Sequence, residues 1–544
     1  MDTKQLNQEV DRLFSKRSSF VLLLQDIAEN FYIERADFTY QRTTGTEMAG
    51  DLMTSYPLFC RRDLGDQIGQ MLRPSNKEWF HSVPTDPGRE NTDAKRWLSW
   101  TDSVMRRAMF DRESMMPRAT KEADHDYAAF GQYCMRVRLN RMRNGLLYTT
   151  YHLRDVVWME DGDGKICLIA RKFKNTAREI ARTFKTHSPK IDRLLQQGKD
   201  FEEVQCRHIV VADYMYSGNA KGKPWVSIFY DADHDYEMEV VPTWTKHYII
   251  SRWQTVSGSQ YAFSPATICA LPEARLIQAM TYTLLQAGEK AVDPPMIATH
   301  DVVKTDVAIY AGGITWVDRD YDERLGEALR PLGTPTSGIP YGQEAMQDSR
   351  QMLMQAFYLN KLTLPQRAQE MTAYEVGQRV QEYIRGALPL FEPMEYESNG
   401  QLCDETRDLL MRNGAFGSIA DMPPSLRGAD IRFQFQSPLH DAIEQVKGQK
   451  FLEAKSIIAE AVAMDQGAAA ILDAKIALRD TLHGIGTPAF WIRSEVEVQD
   501  IEEQQAAAAG AAQTLASMQQ GADVAATMAT AQKDKAQAEA AMME

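Results

Sequence analysis

The sequence predicts an α+β fold that is mainly α-helical. Apolar residues recur at helical spacing through most of the first 130 residues. The pattern changes to short alternating runs between about 130 and 255, which is typical of strands. Two long segments in the middle of the chain then continue without a helix breaker. Because 544 residues exceed what one compact core normally uses, we expect two or three structural regions.

The N-terminal helices are predicted from apolar side chains three and four positions apart. In the third of these helices, Trp97, Trp100 and Met105 are expected on one buried face. The predicted bounds are Leu6 to Arg35, Leu64 to Leu72 and Asn91 to Phe110.

The strands are predicted from residues that alternate between apolar and polar. Two of them flank Asp161 to Lys165, whose two glycines indicate a hairpin turn. A calcium loop is disfavoured there because Lys165 stands where a ligand is needed, and a phosphate loop lacks its first glycine and its hydroxyl. A basic amphipathic helix is predicted from Arg171 to His187. The predicted strands are Cys134 to Leu139, Val156 to Glu160, Ile166 to Ala170, His208 to Val211, Trp225 to Tyr230 and His247 to Ile250.

A long central helix is predicted to begin at Ser264. Its hydroxyl suits an N-cap, and Pro265 suits the first helical position because its missing N–H would be unpaired there anyway. The pattern continues to Val292 and stops before Pro294 and Pro295, which gives a helix on the order of 40 Å long.

A β-like stretch follows, and a second helix is predicted from Gln343 to about Lys361, roughly 30 Å long. The pattern is that of two rods bracketing a β tip. Since such a stalk is too thin to bury its own sides, copies of the chain are expected to pack side by side.

The C-terminal third is predicted to be helical with one strand. Thr372 and Glu375 form a capping-box pattern at the start of a helix. A strand is predicted from Ile431 to Phe435 and a helix from Leu439 to Ala474. From Glu502 onward the chain is rich in Ala, Gln and Met, which indicates a helical or disordered tail with little packed core.

Several short motifs occur in a characteristic order. They are Ser251-Arg-Trp253, Tyr261-Ala-Phe-Ser-Pro265, Ala270-Leu-Pro272, Lys290-Ala-Val-Asp-Pro-Pro295 and Met371-Thr-Ala-Tyr-Glu-Val376. This series resembles the head-to-tail connecting (portal) proteins of podoviruses over roughly residues 10 to 465. Ala262 stands where that family usually has glycine, which puts the local turn geometry in doubt.

The resemblance implies a portal fold with a wing, a long-helix stem, a β-containing clip and a helical crown. It also implies that Arg252, Trp253, Ser264, Pro265, Pro294, Pro295, Thr372 and Glu375 are structural motif residues. Carried over by position, the wing is 1–263, the stem helices are 264–292 and 343–361, the clip is 293–342, the tunnel loop is 362–371, the wing helix and strand are 372–439, the crown is 440–495 and the tail is 496–544.

The function that the resemblance implies is structural. The chain would form a ring, typically of twelve subunits, at one capsid vertex, through which double-stranded DNA is packaged and ejected. Its partners would be the terminase large subunit, tail adaptor proteins, and the major capsid and scaffolding proteins. It would be assembled in the host cytoplasm and reside in the virion, with no enzymatic activity, cofactor or metal. Lys361, Gln366 and Arg367, in or beside the tunnel loop, would contact DNA.

Composition limits the alternatives. The formal net charge of −14 disfavours a protein that binds DNA tightly through many phosphates. No stretch approaches the roughly 20 apolar residues that span a bilayer, so no membrane association is expected. The six cysteines are far apart and form no CxxC pair, which favours reduced, mostly buried thiols over a disulfide framework or a thiolate metal site.

Two charged clusters have two interpretations each. The basic stretch could contact phosphates or be a solvated strand face, and the acidic row could bind a divalent cation or be a solvated surface. These clusters are Arg136, Arg138, Arg141 and Arg143, and Asp231, Asp233, Asp235, Glu237 and Glu239 with His234.

Two other functions also remain open. One is a different internal virion or scaffold protein, which would share the acidic balance and the Ala/Gln-rich tail. The other is a DNA-packaging nuclease or ATPase, which would need clustered carboxylates or a phosphate loop.

Overall fold

The computed structural model describes residues 1–43, 45–74, 78–89, 91–292, 296–298, 329–331, 338–362 and 394–435, with isolated positions between 478 and 535. The chain divides into two units, residues 1–440 and 441–544, and all elements below belong to the first. The described helices are α1 (Thr3–Lys16), α2 (Ser18–Phe31), α3 (Tyr56–Leu72), α4 (Thr92–Met109), α5 (Met116–Phe130), α6 (Ala177–Thr183), α7 (Pro189–Gln196), α8 (Pro265–Val292), α9 (Gly338–Ala356), α10 (Leu359–Leu362) and α11 (Gln401–Arg412), and a π-helical segment, Glu395–Gly400, precedes α11.

The described strands form five antiparallel sheets with the orders β1-β14, β3-β2-β9, β4-β5-β6-β7-β8, β10-β11 and β12-β13. Their bounds are β1 (Phe80–Pro84), β2 (Gln132–Leu139), β3 (Leu146–Tyr151), β4 (Val156–Glu160), β5 (Ile166–Thr176), β6 (Glu203–Ala212), β7 (Trp225–Asp231), β8 (Tyr236–Thr243), β9 (Tyr248–Arg252), β10 (Gln254–Thr255), β11 (Ala262–Phe263), β12 (Met296–Ala298), β13 (Leu329–Pro331) and β14 (Ile431–Phe435).

The five-stranded sheet is covered on both faces. On one face, α1 packs Leu6, Val10 and Leu13, which lie four and three positions apart, onto apolar strand residues such as Ile209 and Val211. A capping box holds the start of α1, because the Asp2 carboxylate accepts from the Gln5 N–H at 2.7 Å. Successive strand side chains point to opposite faces. The other face therefore packs a second set of residues against α6 and α7, namely Val204, Cys206 and Met238.

The predicted hairpin around Asp161 is confirmed. The carboxylate of Asp161 accepts hydrogen bonds from the backbone N–H of Asp163 at 3.0 Å and of Lys165 at 2.9 Å. Gly164 has φ of +74°, which a glycine adopts without a steric penalty. The segment from 161 to 165 is therefore the turn between β4 and β5, as the two glycines predict.

The predicted basic helix from Arg171 to His187 is wrong over its first third. Strand β5 continues to Thr176 because its backbone pairs with β6 from Leu168 to Thr176, and only 177–183 is helical. The Thr176 hydroxyl caps this short helix by accepting from the Glu179 N–H at 3.3 Å. The strand pairing, a tertiary contact, overrides the helical spacing of the apolar residues.

The face predicted for α4 is also partly wrong. Met105 is fully buried, but Trp100 is 44% exposed. The buried stripe instead runs through Ala94, Leu98, Met105 and Met109. Strand β1, which pairs with β14, was not predicted, although β14 itself has the predicted bounds.

The two central helices, α8 and α9, pack alongside each other. Helix α8 spans the predicted residues up to Val292, and its strand neighbours β12 and β13 pair antiparallel. Helix α9 begins at Gly338, five residues earlier than predicted, and ends at Ala356. A left-handed residue, Tyr358 (φ +58°), then separates it from the single turn of α10.

Most of the predicted clip, the predicted crown apart from Leu478 and the predicted tunnel loop apart from Leu362 lie outside the described residues. The same holds for the motif residues Pro294, Pro295, Thr372 and Glu375.

Candidate functional site

The base of α8 is the place where the predicted motif residues converge. Arg252, at the end of β9, forms ion pairs with Glu160 of β4 and with Glu397 of the π-helical segment, the latter at 2.9 Å. Its backbone N–H also donates to the Glu397 carboxylate at 2.7 Å. The planar guanidinium can serve two carboxylates at once, which an ammonium does less well. Arg252 therefore joins three segments that are far apart in sequence.

Trp253 connects the bases of the two central helices. Its indole stacks on Tyr127 of α5, with ring centroids 5.4 Å apart, and contacts Tyr358 beyond α9 at 6.3 Å. Its backbone N–H donates to the carbonyl of Gly131 at 2.7 Å. The next residue after α9's final turn, Phe357, is fully buried and packs against Phe31 of α2.

The N-terminus of α8 is joined to the C-terminus of α5 by two hydroxyls. Ser264 donates to the carbonyl of Ala128 at 2.7 Å, and Thr267 donates to the carbonyl of Ala129 at 2.7 Å. Both acceptors are among the last carbonyls of α5, which have no partner within their own helix. The predicted N-cap is present but long, since the Thr267 N–H lies 3.5 Å from the Ser264 hydroxyl. Pro265 is the first residue of α8, as predicted.

Gly131 allows α5 and the strand before α8 to approach each other closely. It ends α5 with φ of +69°. A Cβ at this position would lie 2.1 Å from the carbonyl carbon of Phe263 and 2.2 Å from the nitrogen of Ser264. Both atoms are backbone, so no side-chain rotation relieves the overlap. Only glycine fits here.

Ala262 does not disturb the joint. It lies in β11, is fully buried, and donates its N–H to the side chain of Gln132 at 2.9 Å. Its φ is not positive, so an alanine adopts this backbone without strain. The neighbouring Tyr261 packs between Phe20 and Trp158, with centroids 4.9 Å and 4.8 Å away.

The outer half of α8 is much less covered than its base. The buried residues of α8 all lie at or before Ile277, and none of residues 278–292 is fully buried within this unit. Instead, large apolar side chains face outward on both central helices. They are Leu276, Tyr282, Leu285 and Val292 on α8, and Tyr341, Met352 and Met354 on α9.

The outer ends of α8 and α9 enclose an open cavity of about 720 Å³ lined by Thr281, Leu284, Leu285, Gly288, Glu289, Val292, Gln343 and Met346. The two helices approach closely beside it at Gly342, where a Cβ would lie 2.7 Å from Leu284. Most of the described residues that line this cavity are apolar.

The remaining predicted site residues are only partly described. Lys361 lies in α10, and only its backbone is described; Gln366 and Arg367 lie outside the described residues. The acidic row runs from the last residue of β7, Asp231, through the β7–β8 turn into the first half of β8. Its members are held by neighbours: the Asp231 carboxylate bonds His234 at 2.7 Å, and Asp235 pairs with Lys4 at 3.0 Å. Across the described ranges, no group of three or more His, Cys, Asp or Glu side chains is placed to hold a metal ion.

Buried charges reinforce the core beside this joint. On α5, Asp124 pairs with Arg73 and Asp126 pairs with Arg35, the latter at 2.9 Å. Burial raises the pKa of both carboxyls, and the paired arginines oppose that shift. Between them, burial lowers the pKa of His125 to about 4, so this imidazole is neutral near pH 7. These groups are paired internally and have a structural role.

A family model described as bacteriophage head to tail connecting protein matches residues 3–492. The chain belongs to this family. The portal resemblance drawn from the motifs is thereby confirmed. As a phage portal protein, the chain is a structural, head-to-tail connecting component of the virion.

Individual relatives of the portal family are distant. The portal protein of Salmonella phage epsilon15 is 21% identical over 378 residues, covering 68% of this chain and 67% of that protein. A probable portal protein of Bordetella phage BPP-1 is 22% identical over 444 residues, covering 79% and 78%. Two solved structures are similar at low TM-score. One is the virion of a native gene transfer agent particle (TM-score 0.36, 9% identity, 79% of this chain and 95% of that chain), and the other is the neck of an empty gene transfer agent particle (TM-score 0.38, 11% identity, 82% and 96%).

The sequence identified the motif residues but not their partners. Glu160, Glu397, Tyr127 and Tyr358 are ordinary residues of their local segments, and no spacing pattern connects them to Arg252 or Trp253. Among the described helices, none is both long and apolar enough to cross a lipid bilayer.

Proposed function

We propose that about twelve copies of this portal protein stand side by side in a ring around a channel for double-stranded DNA, at one vertex of the capsid. The α8–α9 pair would form the stem of each subunit. The segments at 1–263 and 372–439 would form the wing, 293–342 the clip and 440–495 the crown.

The exposed apolar side chains of the stem carry this proposal. Leu285 is 55% exposed and Tyr282 is 50% exposed, and both lie in the outer half of α8. Burying apolar surface contributes about 25 cal/mol per Å², so neighbouring stems that cover these side chains gain stability. The base of α8 needs no such partner, because it is buried against α5 within the same unit.

The charge of the chain fits a conduit that DNA slides through. Twelve copies at −14 each carry a formal charge of −168. An acidic lining repels phosphates over a Debye length of roughly 8 Å in physiological salt, which disfavours adhesion. Lys361, Gln366 and Arg367 would contact the DNA transiently from the tunnel loop and slow it.

The partners follow from this position in the virion. The terminase large subunit would dock at the clip and supply the ATP-driven work during packaging, and tail adaptor proteins would replace it afterwards. The major capsid and scaffolding proteins would surround the wing during assembly in the host cytoplasm. We expect the purified protein to have neither nuclease nor ATPase activity.

The test is the size and shape of the purified full-length protein. Sedimentation should give a particle of about 740 kDa for twelve subunits of 61.7 kDa, and electron microscopy should show a ring with a central hole. Leu285→Asp should shift the population toward smaller species, because it places a charge in the stem contact. Leu285→Met, which keeps the apolar volume, should assemble like the wild type. A particle that stays monomeric at all concentrations would contradict the proposal.

A further inference from the structure

An arginine-lined cleft lies between the two larger sheets. It has a volume of about 830 Å³, which is within the range of small-ligand sites, roughly 300–1,000 Å³. Six arginines line it together with the two carboxylates of Glu179 and Glu239. The arginines are Arg136, Arg138, Arg141, Arg143, Arg171 and Arg182.

Strand register explains why these side chains converge. On the three-stranded sheet, Arg136 and Arg138 of β2 are two positions apart and share a face. Arg141 and Arg143 follow in the turn before β3. On the five-stranded sheet, Arg171 begins a cross-strand row that continues through His208, Phe229 and Glu239. The basic stretch from Arg136 to Arg143 therefore forms one wall of the cleft, and residues of β5 and α6 form the second wall.

Five of the six guanidinium groups have no carboxylate partner among the described residues. Arg182 pairs with Glu179 at 3.0 Å, but the other five form no ion pair within the part of the chain that the structure describes. Buried arginines elsewhere in the described residues are satisfied either by a carboxylate, as Arg73 is by Asp124, or by backbone carbonyls, as Arg17 is by those of Leu153 and Val156. The Nε atoms of Arg136 and Arg171 are buried and have no hydrogen-bond partner among the described residues. A buried donor without an acceptor is costly, so an anion bound beside these two side chains would reduce that cost.

Aromatic rings hold the two inner arginines in place. The guanidinium carbon of Arg171 lies 4.3 Å from the ring centres of both Tyr151 and Phe173, and that of Arg136 lies 5.9 Å from the ring of Phe229. Stacking uses the flat face of a guanidinium and leaves its N–H edge available for hydrogen bonds. The side chains are therefore preorganised for an oxyanion.

We propose that this cleft binds a phosphate-bearing ligand, either a segment of nucleic-acid strand or a free nucleotide. A single guanidinium is enough for one carboxylate, as Arg35 is for Asp126. Several arginines that converge from two sheets instead match the larger number of oxygens on a phosphate. The outer arginines would extend the site to further phosphates. A volume of about 830 Å³ is that of a small-ligand site, so we expect the cleft to take a nucleotide or a few nucleotides of one strand. This inference does not depend on the ring.

The test measures binding of a fluorescein-labelled single-stranded 12-mer to the full-length protein by anisotropy at several salt concentrations. The triple variant R138Q/R141Q/R143Q changes exposed side chains only, and R136Q/R171Q changes the inner pair. Each should weaken binding at least tenfold. The triple variant should also reduce the slope of log Kd against log salt by about 2, since each lost phosphate contact removes about 0.7. The matched control R178Q/R193Q removes exposed arginines outside the cleft and should bind within twofold of the wild type.

Competition separates the sources of phosphate. If ATP displaces the 12-mer at millimolar concentration and its own affinity falls in the triple variant, the ligand is a free nucleotide. If only unlabelled oligonucleotides compete, the ligand is a strand. The proposal is overturned if the triple variant binds the 12-mer within twofold of the wild type. It is also overturned if a poly-glutamate peptide, and not the 12-mer, shows binding that depends on these arginines.

Discussion

The indole of Trp253 lies nearly parallel to the phenol ring of Tyr127, with 14° between their planes. Trp253 follows β9, Tyr127 lies in the last turn of α5, and Tyr358 beyond α9 contacts the same indole. This stack therefore connects the segment before α8 and the segment after α9 to the core.

Trp253→Ala should destabilise the protein by about 3 kcal/mol or more, because it leaves a cavity where a large buried side chain was packed. Thermal and denaturant unfolding of the full-length protein would measure the loss. Trp253→Phe should recover part of it. Trp244, which is 47% exposed, supplies the control, and Trp244→Ala should cost less than about 1 kcal/mol. Equal losses for the two alanine variants would contradict the role of the stack.

Gly131→Ala should prevent correct folding. The new Cβ would overlap the backbone of Phe263, and the left-handed backbone adds strain. Soluble yield and circular dichroism would measure the effect. Gly164→Ala is the matched control, because Gly164 has a similar φ of +74° but nothing within 4 Å of a Cβ. It should cost only about 1 kcal/mol. If both variants fold equally well, the close approach at Gly131 is not restrictive.

Thr267→Val should destabilise the joint between α5 and α8 by about 1–3 kcal/mol, because it leaves the buried carbonyl of Ala129 without its donor. Unfolding midpoints would show the change. In the control Thr283→Val, the lost hydroxyl bonds only the carbonyl of Ala279 within its own helix and is exposed. A cost within about 0.5 kcal/mol is expected there. A Thr267→Val variant as stable as this control would argue against the hydroxyl link.

Glu405→Gln should flatten the decline in stability as the pH rises from about 4.5 to 7. Burial raises the pKa of Glu405 to about 7, so the folded state holds this proton after the unfolded state has released it. Stability therefore falls with rising pH in that window, by at most about 3 kcal/mol. Unfolding midpoints of both proteins at pH 5 and pH 8 would reveal the difference. Exposed Glu289→Gln should follow the wild type.

Two buried histidines change the stability in the opposite direction over nearly the same pH range. Burial lowers the pKa of His125 and of His247 to about 4, so both are neutral in the folded state. Their contribution to stability therefore rises with pH from about 4 to 6.5. The His247 imidazole lies 3.9 Å from the Glu405 carboxylate, so the comparison is made in a His247→Asn background, where the variant-minus-parent difference isolates Glu405. A constant difference between pH 5 and pH 8 would refute the assignment.

Capping residues and turn residues in the sequence correctly predicted the start of a helix and the position of a hairpin turn. The start of α8 is encoded by Ser264 and Pro265, and the β4–β5 turn by its two glycines, because capping and turn chemistry act within a few residues. The helix predicted from Arg171 failed for the complementary reason. Its first residues pair with β6, and a pairing partner some 30 residues away leaves no mark on a helical pattern.

In the candidate site too, the sequence identified individual residues but not the contacts between distant segments. The motif identified Arg252 and Trp253, but Glu397 and Tyr358 are 145 and 105 positions away, and only folding brings them into contact. Only one wall of the arginine cleft could be predicted from the sequence. Arg136 to Arg143 form a visible basic stretch, whereas Arg171 joins it from another sheet.

The sequence by itself determined the family, the α+β character, the long helix from Pro265 to Val292 and the acidic balance, because each depends on composition, local capping or an ordered series of motifs. Tertiary structure alone decided which side chains meet. It placed Gly131 where only a hydrogen fits, joined the ends of α5 and α8 through two hydroxyls, and gathered unpaired arginines from two sheets. The physical reason is that steric exclusion, burial and charge pairing depend on distances in space, which sequence spacing does not specify.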